Sequence, residues 1–301
     1  MGFYHNPILL HQAVDGLNVH ENGIYLDLTF GGGGYTTEIL KRAQNIKVLA
    51  FDIDSDALKN KPADKRVTLI HANFRYFDHF LKYLAIDKVD GIVADLGVSS
   101  HQFDTAERGF SFRFDQSPLD LRMNQEMKLT AAQVVQNYDC EKLNYIFYRY
   151  GEVENASKLS KIIVEKRENK KIETVSDFLN IIQPLVPKDK EHKYLAKVFQ
   201  ALRIEVNDEI NALKEMLTKT ILYLKIKGYL SIVSYHSLED ALVKNFFKSG
   251  NFEGTIAKDF KGMPLKTPFV QTHKKAIQPS AEEIANNNRA RSAKLRIGQR
   301  Q

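Results

Sequence analysis

The sequence predicts an α/β fold in which a doubly wound, mainly parallel sheet is interrupted by an all-helical insert. Short apolar runs alternate with helix-like segments through the first part of the chain. A segment of roughly ninety residues with only helical character follows, which is the size of a small domain. The alternation of strand and helix then returns. Buried parallel strands form short continuous apolar runs because helices cover both faces of their sheet.

Four strand-like runs in the first part of the chain are separated by segments with helical spacing. The runs lie at residues 24–30, 48–53, 67–71 and 91–96, and the helices at 35–43, from Ser55 onward, and at 77–84. Strands that alternate with helices in this way are typical of βα units. We therefore expect these four strands to be parallel.

No convincing strand occurs between residues 108 and 202. Helical spacing covers residues 130–135, 141–148, 154–167 and 175–185, and Pro184 and Pro187 interrupt the last of these segments. We predict that 108–202 is a helical insert. Residues 1–107 and 203–301 then form one discontinuous α/β domain.

The last part of the chain returns to the α/β pattern. A long helix is predicted over residues 207–226, with Asn207 or Asp208 as its N-cap. A fifth strand covers 229–235, a helix follows, and residues 291–297 are expected to form a final edge strand.

Charge and cysteine content narrow the possible classes of protein. The net charge is +6, and residues 244–301 carry twelve Lys and Arg against four Asp and Glu. This basic region indicates either a phosphate-rich partner or a solvated tail. Cys140 is the only cysteine and the nine histidines are scattered, so we expect no disulfide and no metal. Without a long apolar run or a signal peptide, a cytoplasmic monomer or weak homodimer is expected.

A glycine-rich loop, "DLTFGGGGYTTE" at residues 27–38, joins the first strand to the first helix. Such a loop holds either a dinucleotide or S-adenosylmethionine, unless it is only a mobile turn. The dinucleotide fingerprint GxGxxG fails, because Thr36 or Thr37 occupies the third glycine position. An Asp four residues before a G-x-G turn instead favours S-adenosylmethionine. Asp52, which ends the second strand, suits a ribose in either cofactor class and therefore does not distinguish a dinucleotide from S-adenosylmethionine.

Six further motifs follow in order: "DLGVSS", "AERGFSF", "PLDLRM", "FQALRIEVN", "SYHSLED" and "RARSAKLR". With the loop, they resemble the bacterial small-subunit rRNA cytosine-N4 methyltransferases of the MraW type. The resemblance implies a class I S-adenosylmethionine-dependent methyltransferase fold and methylation of a cytidine N4 in the ribosomal decoding region. It also implies the following cofactor contacts: Gly33, Gly34, Tyr35, Asp52, Phe74, Asp95 and Gln102. The family usually has His at the position of Tyr35.

Methylation of an exocyclic amine needs alignment and hydrogen-bond acceptors, since the methyl group of the donor is already activated. Attack through carbon 5 would need a cysteine nucleophile, but Cys140 lies in the insert and is expected to be a buried small hydrophobe. The acceptor candidates are Asp95, Tyr235, which suits stacking on a flipped base, and His236, which suits its edge. Ser237 is favoured as a helix cap.

Five basic residues are candidates for contact with RNA: Arg108, Arg113, Arg289, Arg291 and Lys294. Phe110, Phe112 and Phe114 lie beside the first two, and for Phe112 a role in sealing the insert onto the sheet is favoured over stacking on RNA. Arg122 and Arg203 are expected to pair with nearby carboxylates.

Two other functional classes compete with an RNA methyltransferase. A nicotinamide-dependent dehydrogenase explains only the first half of the chain, and its fingerprint fails. A non-catalytic RNA-binding module explains the basic tail but not the three carboxylates Asp27, Asp52 and Asp95 at successive strand ends.

Overall fold

The computed structural model describes residues 7–301. It contains two compact units, one formed by the chain up to Gly97 together with Ile210–Gln301, the other by Val98–Glu209. These borders lie outside residues 108 and 202, where the sequence pattern placed them. The helix Ser100–Asp104 and its capping residue Ser99 belong to the second unit. The two units are described in turn.

The first unit is built on a seven-stranded sheet in the order β3-β2-β1-β4-β5-β7-β6. β1 pairs in parallel with both β2 and β4, and within the described sheet β7 is the one strand that runs opposite to all the others. The strands are β1 Ile24–Asp27, β2 Lys47–Asp52, β3 Val67–His71, β4 Val89–Asp95, β5 Leu224–Ser234, β6 Phe269–Gln271 and β7 Lys294–Arg300. The four predicted parallel strands are present.

Helices cover both faces of this sheet and make up most of the second unit. In chain order they are α1 Leu10–Asp15, α2 Gly34–Arg42, α3 Phe77–Tyr83, α4 Ser100–Asp104, α5 Ala131–Asn137, α6 Cys140–Arg149, α7 Ala156–Arg167, α8 Val175–Ile182, α9 Glu191–Asn207, α10 Glu209–Tyr223, α11 Ser237–Ser249 and α12 Ala281–Asn286. Residues from Ser55 form a 3-10 helix, Ser55–Asn60. None of the helices in residues 7–301 is long and apolar enough to cross a membrane.

The core of the first unit lies on both faces of the sheet. Successive residues of one strand enter different apolar clusters: Tyr25 and Val48 belong to one, Leu26 and Leu49 to the other. This alternation follows from the two-residue period of a strand. Both faces are dry, which is why the strands have no polar face in the sequence.

The long helix predicted over residues 207–226 is wrong in its bounds. The span 207–226 covers parts of three elements: Asn207 ends α9, α10 begins at Glu209 after Asp208 with its left-handed backbone (φ +50°), and β5 already begins at Leu224. Asn207 is no N-cap, because its amide oxygen accepts from Met123 N (2.7 Å) and its amide nitrogen donates to Leu121 O (2.8 Å).

The final strand is not at the sheet edge. β7 lies between β5 and β6, and β6 forms the edge. β6 has only three residues, too few to show a period in the sequence.

The second unit, Val98–Glu209, contains helices and no β-strand, as the sequence predicts. Capping boxes begin three of its helices, at Ser99, Thr130 and Thr174. The expected ion pairs form: Arg122 Nε lies 2.7 Å from Asp120 Oδ1, and Arg203 Nε lies 2.8 Å from Glu209 Oε1. Phe112 packs edge to face on Phe199 of α9 (5.7 Å between ring centres), a contact within the helical unit, so its role in sealing the insert onto the sheet stays a prediction.

Candidate active site

The glycine-rich loop forms a fixed turn between β1 and α2. Gly33 N donates to Phe30 O (2.7 Å), and Phe30 N donates to Phe51 O in the neighbouring strand (2.8 Å). Gly33 caps the helix with a left-handed backbone (φ +77°), and a Cβ at this position would lie 2.8 Å from the Phe30 ring. Glycine is therefore required, and the backbone bonds argue against a mobile turn.

Asp27 anchors this loop from below. Its carboxylate is fully buried and accepts from Thr36 Oγ1 (2.7 Å), Thr36 N (3.1 Å) and Thr29 N (3.3 Å). Burial raises the pKa of Asp27 to about 6, and the hydrogen bonds from Thr36 and Thr29 oppose that rise. The carboxylate that favoured S-adenosylmethionine in the sequence thus shapes the loop and does not face solvent.

Asp52 lies beside the loop at the end of β2, and its side chain is partly exposed. Oδ2 accepts from Gly31 N (2.7 Å) and Oδ1 from Asp54 N (2.8 Å). Each oxygen retains a further lone pair, so the carboxylate can accept two hydroxyls of a ribose. Burial raises the pKa of Asp52 to about 6.

Asn60 also holds the loop, and no sequence pattern pointed to it. Its Nδ2 donates to Gly31 O (3.0 Å) from the end of the 3-10 helix that follows β2. Phe74 begins another 3-10 turn after β3, and it is partly exposed. Ala72 N donates to Asp52 O (2.9 Å), which holds the start of this turn beside the end of β2.

Asp95 ends β4 and carries a hydrogen bond from a tyrosine. Tyr235 OH donates to Asp95 Oδ1 (2.6 Å), and Asp95 N donates to Thr29 Oγ1 (2.6 Å). Burial raises the pKa of Tyr235 and of Tyr35 well above the usual value, and the Asp95 carboxylate adds to both shifts. Both phenols therefore stay protonated at neutral pH and act as donors. The ends of β1, β4 and β5 meet here.

The side chain of Tyr35 is buried, unlike a side chain that contacts a ligand. It is 2 % exposed, and its hydroxyl donates to the carbonyl of Ile8. Only its backbone, in the first turn of α2, is placed at the loop. A change from the family's usual His to Tyr therefore alters packing beneath the loop.

Sequence comparison places the chain in a family. A model of the MraW methylase family matches residues 2–301. The chain belongs to the MraW methylase family. It is 52 % identical over 299 residues to a protein of Parabacteroides distasonis named "Ribosomal RNA small subunit methyltransferase H", covering 99 % of this chain and 97 % of that one. A protein of the same name from Christiangramia forsetii is 53 % identical over 298 residues, with 99 % and 98 % covered.

This MraW-family chain has the class I methyltransferase fold, with the reversed β7 between β5 and β6. Its cofactor is S-adenosylmethionine. The residues present fit that group, because the Asp52 carboxylate beside the glycine turn offers acceptors instead of the anion cradle that a pyrophosphate needs. The predicted fold and cofactor are confirmed.

The segment after β5 in this MraW-family protein corrects the expected cap. His236, not Ser237, is the N-cap of α11: its Nδ1 accepts from Glu239 N (3.5 Å), and its Nε2 lies 3.0 Å from Glu239 Oε1. Glu239 Oε2 also accepts from Tyr235 N (3.0 Å). Since both ring nitrogens face Glu239 and the side chain is 8 % exposed, the structure favours a role for His236 in positioning Tyr235.

Two substitutions of His236 test whether it positions Tyr235 or contacts the substrate directly. Loss of the cap in His236→Ala should lower the free energy of unfolding by about 1 kcal/mol and also lower turnover. Asn is itself a favoured N-cap, so His236→Asn should restore both. Thermal unfolding and turnover at saturating cofactor check this. An Asn variant as stable as wild type but as inactive as Ala would instead show that the imidazole contacts the substrate.

The predicted RNA contacts differ in their exposure. Arg289 and Arg291 are exposed in the 3-10 turn Asn288–Ser292, whereas Lys294 Nζ lies 3.1 Å from Asp240 Oδ2. In the helical unit Arg113 is exposed and lies 3.0 Å from Asp104 Oδ1. Arg108 is 2 % exposed and donates to the carbonyl of Met123 (2.7 Å), so the prediction that it meets phosphate does not fit its burial.

Two other candidates lie in the helical unit. Gln102 is 4 % exposed, and its side chain closes the capping box of α4 by accepting from Ser99 N (3.1 Å). Cys140 begins α6 after the capping residue Asp139. It is partly exposed and not buried as predicted, since the buried residues of α6 begin only at Leu143.

The state of Asp52 predicts how cofactor binding depends on pH. Its pKa near 6 means that the carboxylate is ionised above that pH and protonated below it. If Asp52 binds the ribose as predicted, only the ionised form can accept both hydroxyls, so affinity for S-adenosylmethionine should rise with pH between about 5 and 7. Calorimetry of wild type and Asp52→Asn tests this, since the variant should lose most of the dependence. A similar dependence in both proteins would assign it to another group, such as Asp27.

Proposed function

We propose that this protein transfers a methyl group from S-adenosylmethionine to the exocyclic N4 of a cytidine in the decoding region of small-subunit rRNA. The relatives' names support rRNA as the substrate class. The observation that supports an amine as the methyl acceptor is the Asp95 carboxylate at the end of β4, which accepts a hydrogen bond from the Tyr235 hydroxyl. Asp95 and the glycine turn both lie at the carboxyl ends of the parallel strands. Ligands of such sheets bind at this edge.

The cofactor occupies the loop side of this edge in our proposal. The backbone of Gly33, Gly34 and Tyr35 lies along it, Asp52 accepts the ribose hydroxyls, and Phe74 lies by the adenine. When bound, the cofactor supplies a methyl group on a positively charged sulfur. Gln102 stays a predicted contact from the helical unit.

Asp95 orients the target amine. The N4 lone pair is delocalised into the ring, and an acceptor for one N–H helps to aim that lone pair at the methyl carbon. A carboxylate has about four lone-pair sites, so Asp95 can accept from the amine while it also accepts from Tyr235. As the N–C bond forms and the S–C bond breaks, the amine loses one proton, and Asp95 is placed to receive it. No covalent intermediate with the protein is needed.

RNA recognition is assigned in this proposal to the helical unit and to the basic end of the chain. Arg113 on the helical unit, and Arg289 and Arg291 after α12, are exposed and carry the charge that phosphate contacts require. The monomer or weak homodimer expected from the sequence stays a prediction.

Identification of the modified nucleoside tests the function. The protein is incubated with methyl-labelled S-adenosylmethionine and small ribosomal subunits that lack the modification, and the digested rRNA is analysed by mass spectrometry. We expect N4-methylcytidine, with Cys140→Ser as active as wild type. Methylation at carbon 5, or no methylated cytidine from a preparation that binds the cofactor, would overturn the proposal.

A further inference from the structure

A basic hairpin, defined here as residues 257–266, lies between α11 and β6 and has no role in the site described above. Leu265 N donates to Ala257 O (2.7 Å), and Lys258 and Pro264 form an antiparallel bridge. Gly262 N donates to Asp259 O (3.0 Å) and closes the turn at the tip. Asp at the first and Gly at the fourth position suit this turn.

The tip of the basic hairpin presents apolar side chains to solvent. Phe260 is 92 % exposed, Met263 62 % and Leu265 51 %. Asp259 Oδ1 accepts from Lys261 N (2.8 Å) and Met263 N (2.9 Å), so the turn that carries Phe260 is held by its own hydrogen bonds. An ordered turn that leaves a large aromatic ring in water indicates an interaction site.

The charge around Phe260 indicates the kind of partner. Lys258, Lys261 and Lys266 are exposed, and Lys261 Nζ lies 5.4 Å from the centre of the Phe260 ring. Asp259 is the only acid in the hairpin, and its carboxylate is bound to the turn. Lysine is depleted at protein–protein interfaces. An aromatic ring among lysines instead suits an unpaired base that stacks while neighbouring phosphates meet the ammonium groups.

The position of the basic hairpin places this contact away from the reacting groups. Val270 of β6 pairs with Gln299, which pairs with Tyr229, whereas Asp95 pairs with Val233 further along β5. The hairpin precedes β6 and therefore lies near the amino-terminal ends of the parallel strands, about 15 Å or more from Asp95 along the strand direction. Only a large folded substrate reaches both places.

We propose that the basic hairpin is a second RNA-binding site, in which Phe260 stacks on an unpaired base of the ribosomal substrate and the three lysines bind the adjoining phosphates. This inference rests on the proposed function for the identity of the substrate. The site serves docking of the large substrate, whereas cofactor binding and methyl transfer take place at the carboxyl ends of the strands.

Matched aromatic variants test the stacking. Phe260→Ala should lower kcat/KM on small ribosomal subunits about tenfold, mainly through KM, because the base no longer has a ring to stack on. Phe260→Trp should keep wild-type activity, and the affinity for S-adenosylmethionine should not change in either. Tyr83→Ala is the control, since Tyr83 is 87 % exposed in α3. Equal kcat/KM for Phe260→Ala and wild type, or an equal loss in the Tyr83 control, would overturn the inference.

The lysines are tested by salt dependence. In the triple variant Lys258→Gln, Lys261→Gln, Lys266→Gln, the slope of log affinity for subunits against log salt should fall by about 0.7 for each phosphate that the protein no longer neutralises. An unchanged slope together with weaker binding by Phe260→Ala would indicate a ribosomal protein as the partner and contradict RNA binding. Co-sedimentation with subunits needs no catalysis, so it tests the hairpin even if wild type methylates no cytidine.

Discussion

Replacing Asp52 by Ala is expected to weaken binding of S-adenosylmethionine at least about 100-fold. The substitution removes two charge-assisted hydrogen bonds to the ribose, each worth about 1.5–3 kcal/mol. It also releases Gly31 N, which now donates to Asp52 Oδ2 (2.7 Å), so the loop loses one of its tethers. Turnover at saturating cofactor should change much less, because the role proposed for Asp52 is at the ribose and not at the amine. Calorimetric Kd values and kcat measure the two effects.

Asp87→Ala is the matched control for this prediction. Asp87 is exposed in the turn between α3 and β4, and no ligand role is assigned to it. Its removal changes the net charge by the same amount, so any general electrostatic effect on a cationic cofactor appears in both variants. Equal Kd values for wild type and Asp52→Ala would refute the ribose role.

Replacing Asp95 by Asn should have the opposite pattern, with kcat on ribosomal subunits lower by at least about 100-fold. General acid–base groups contribute about 10²–10⁴ in rate, and an amide cannot take up the proton that the amine loses. Asn keeps the size of the side chain, and its oxygen can still accept from Tyr235 OH, so the pocket should stay intact. Single-turnover rates at saturating cofactor report the chemical step.

Tyr235→Phe completes the comparison at Asp95. It removes the hydroxyl that donates to Asp95 Oδ1 but leaves the carboxylate and the ring. We expect a smaller loss in kcat, about tenfold, from a less well positioned acceptor. If kcat in Asp95→Asn stayed within about threefold of wild type, Asp95 would not be the acceptor and the proposed chemistry would be wrong.

Local patterns predicted the parts of the structure that depend on local interactions. The first four strands appear as apolar runs because both faces of the sheet are dry, and the Gly33 turn appears because only glycine accepts its backbone and its approach to Phe30. The edge strand β6 was missed since three residues carry no period.

Side-chain roles that depend on distant neighbours could not be predicted. Arg108 looked like an RNA contact beside phenylalanines, yet its guanidinium is buried on main-chain carbonyls more than ten residues away. The cap of α11 is a local feature that was assigned to Ser237 but belongs to His236, which faces Glu239 three residues along the chain; its contact with the base stays a prediction. Charge and residue type were visible in the sequence; burial was not.

By itself the sequence determined the α/β class, the cofactor loop and the family. The tertiary structure decided which polar groups meet: Tyr235 with Asp95, 140 residues apart in the chain, and Asn60 with Gly31. The physical reason is that periodicity and glycine turns reflect backbone geometry within a few residues, whereas a hydrogen bond between strand ends depends on the packing of the whole sheet.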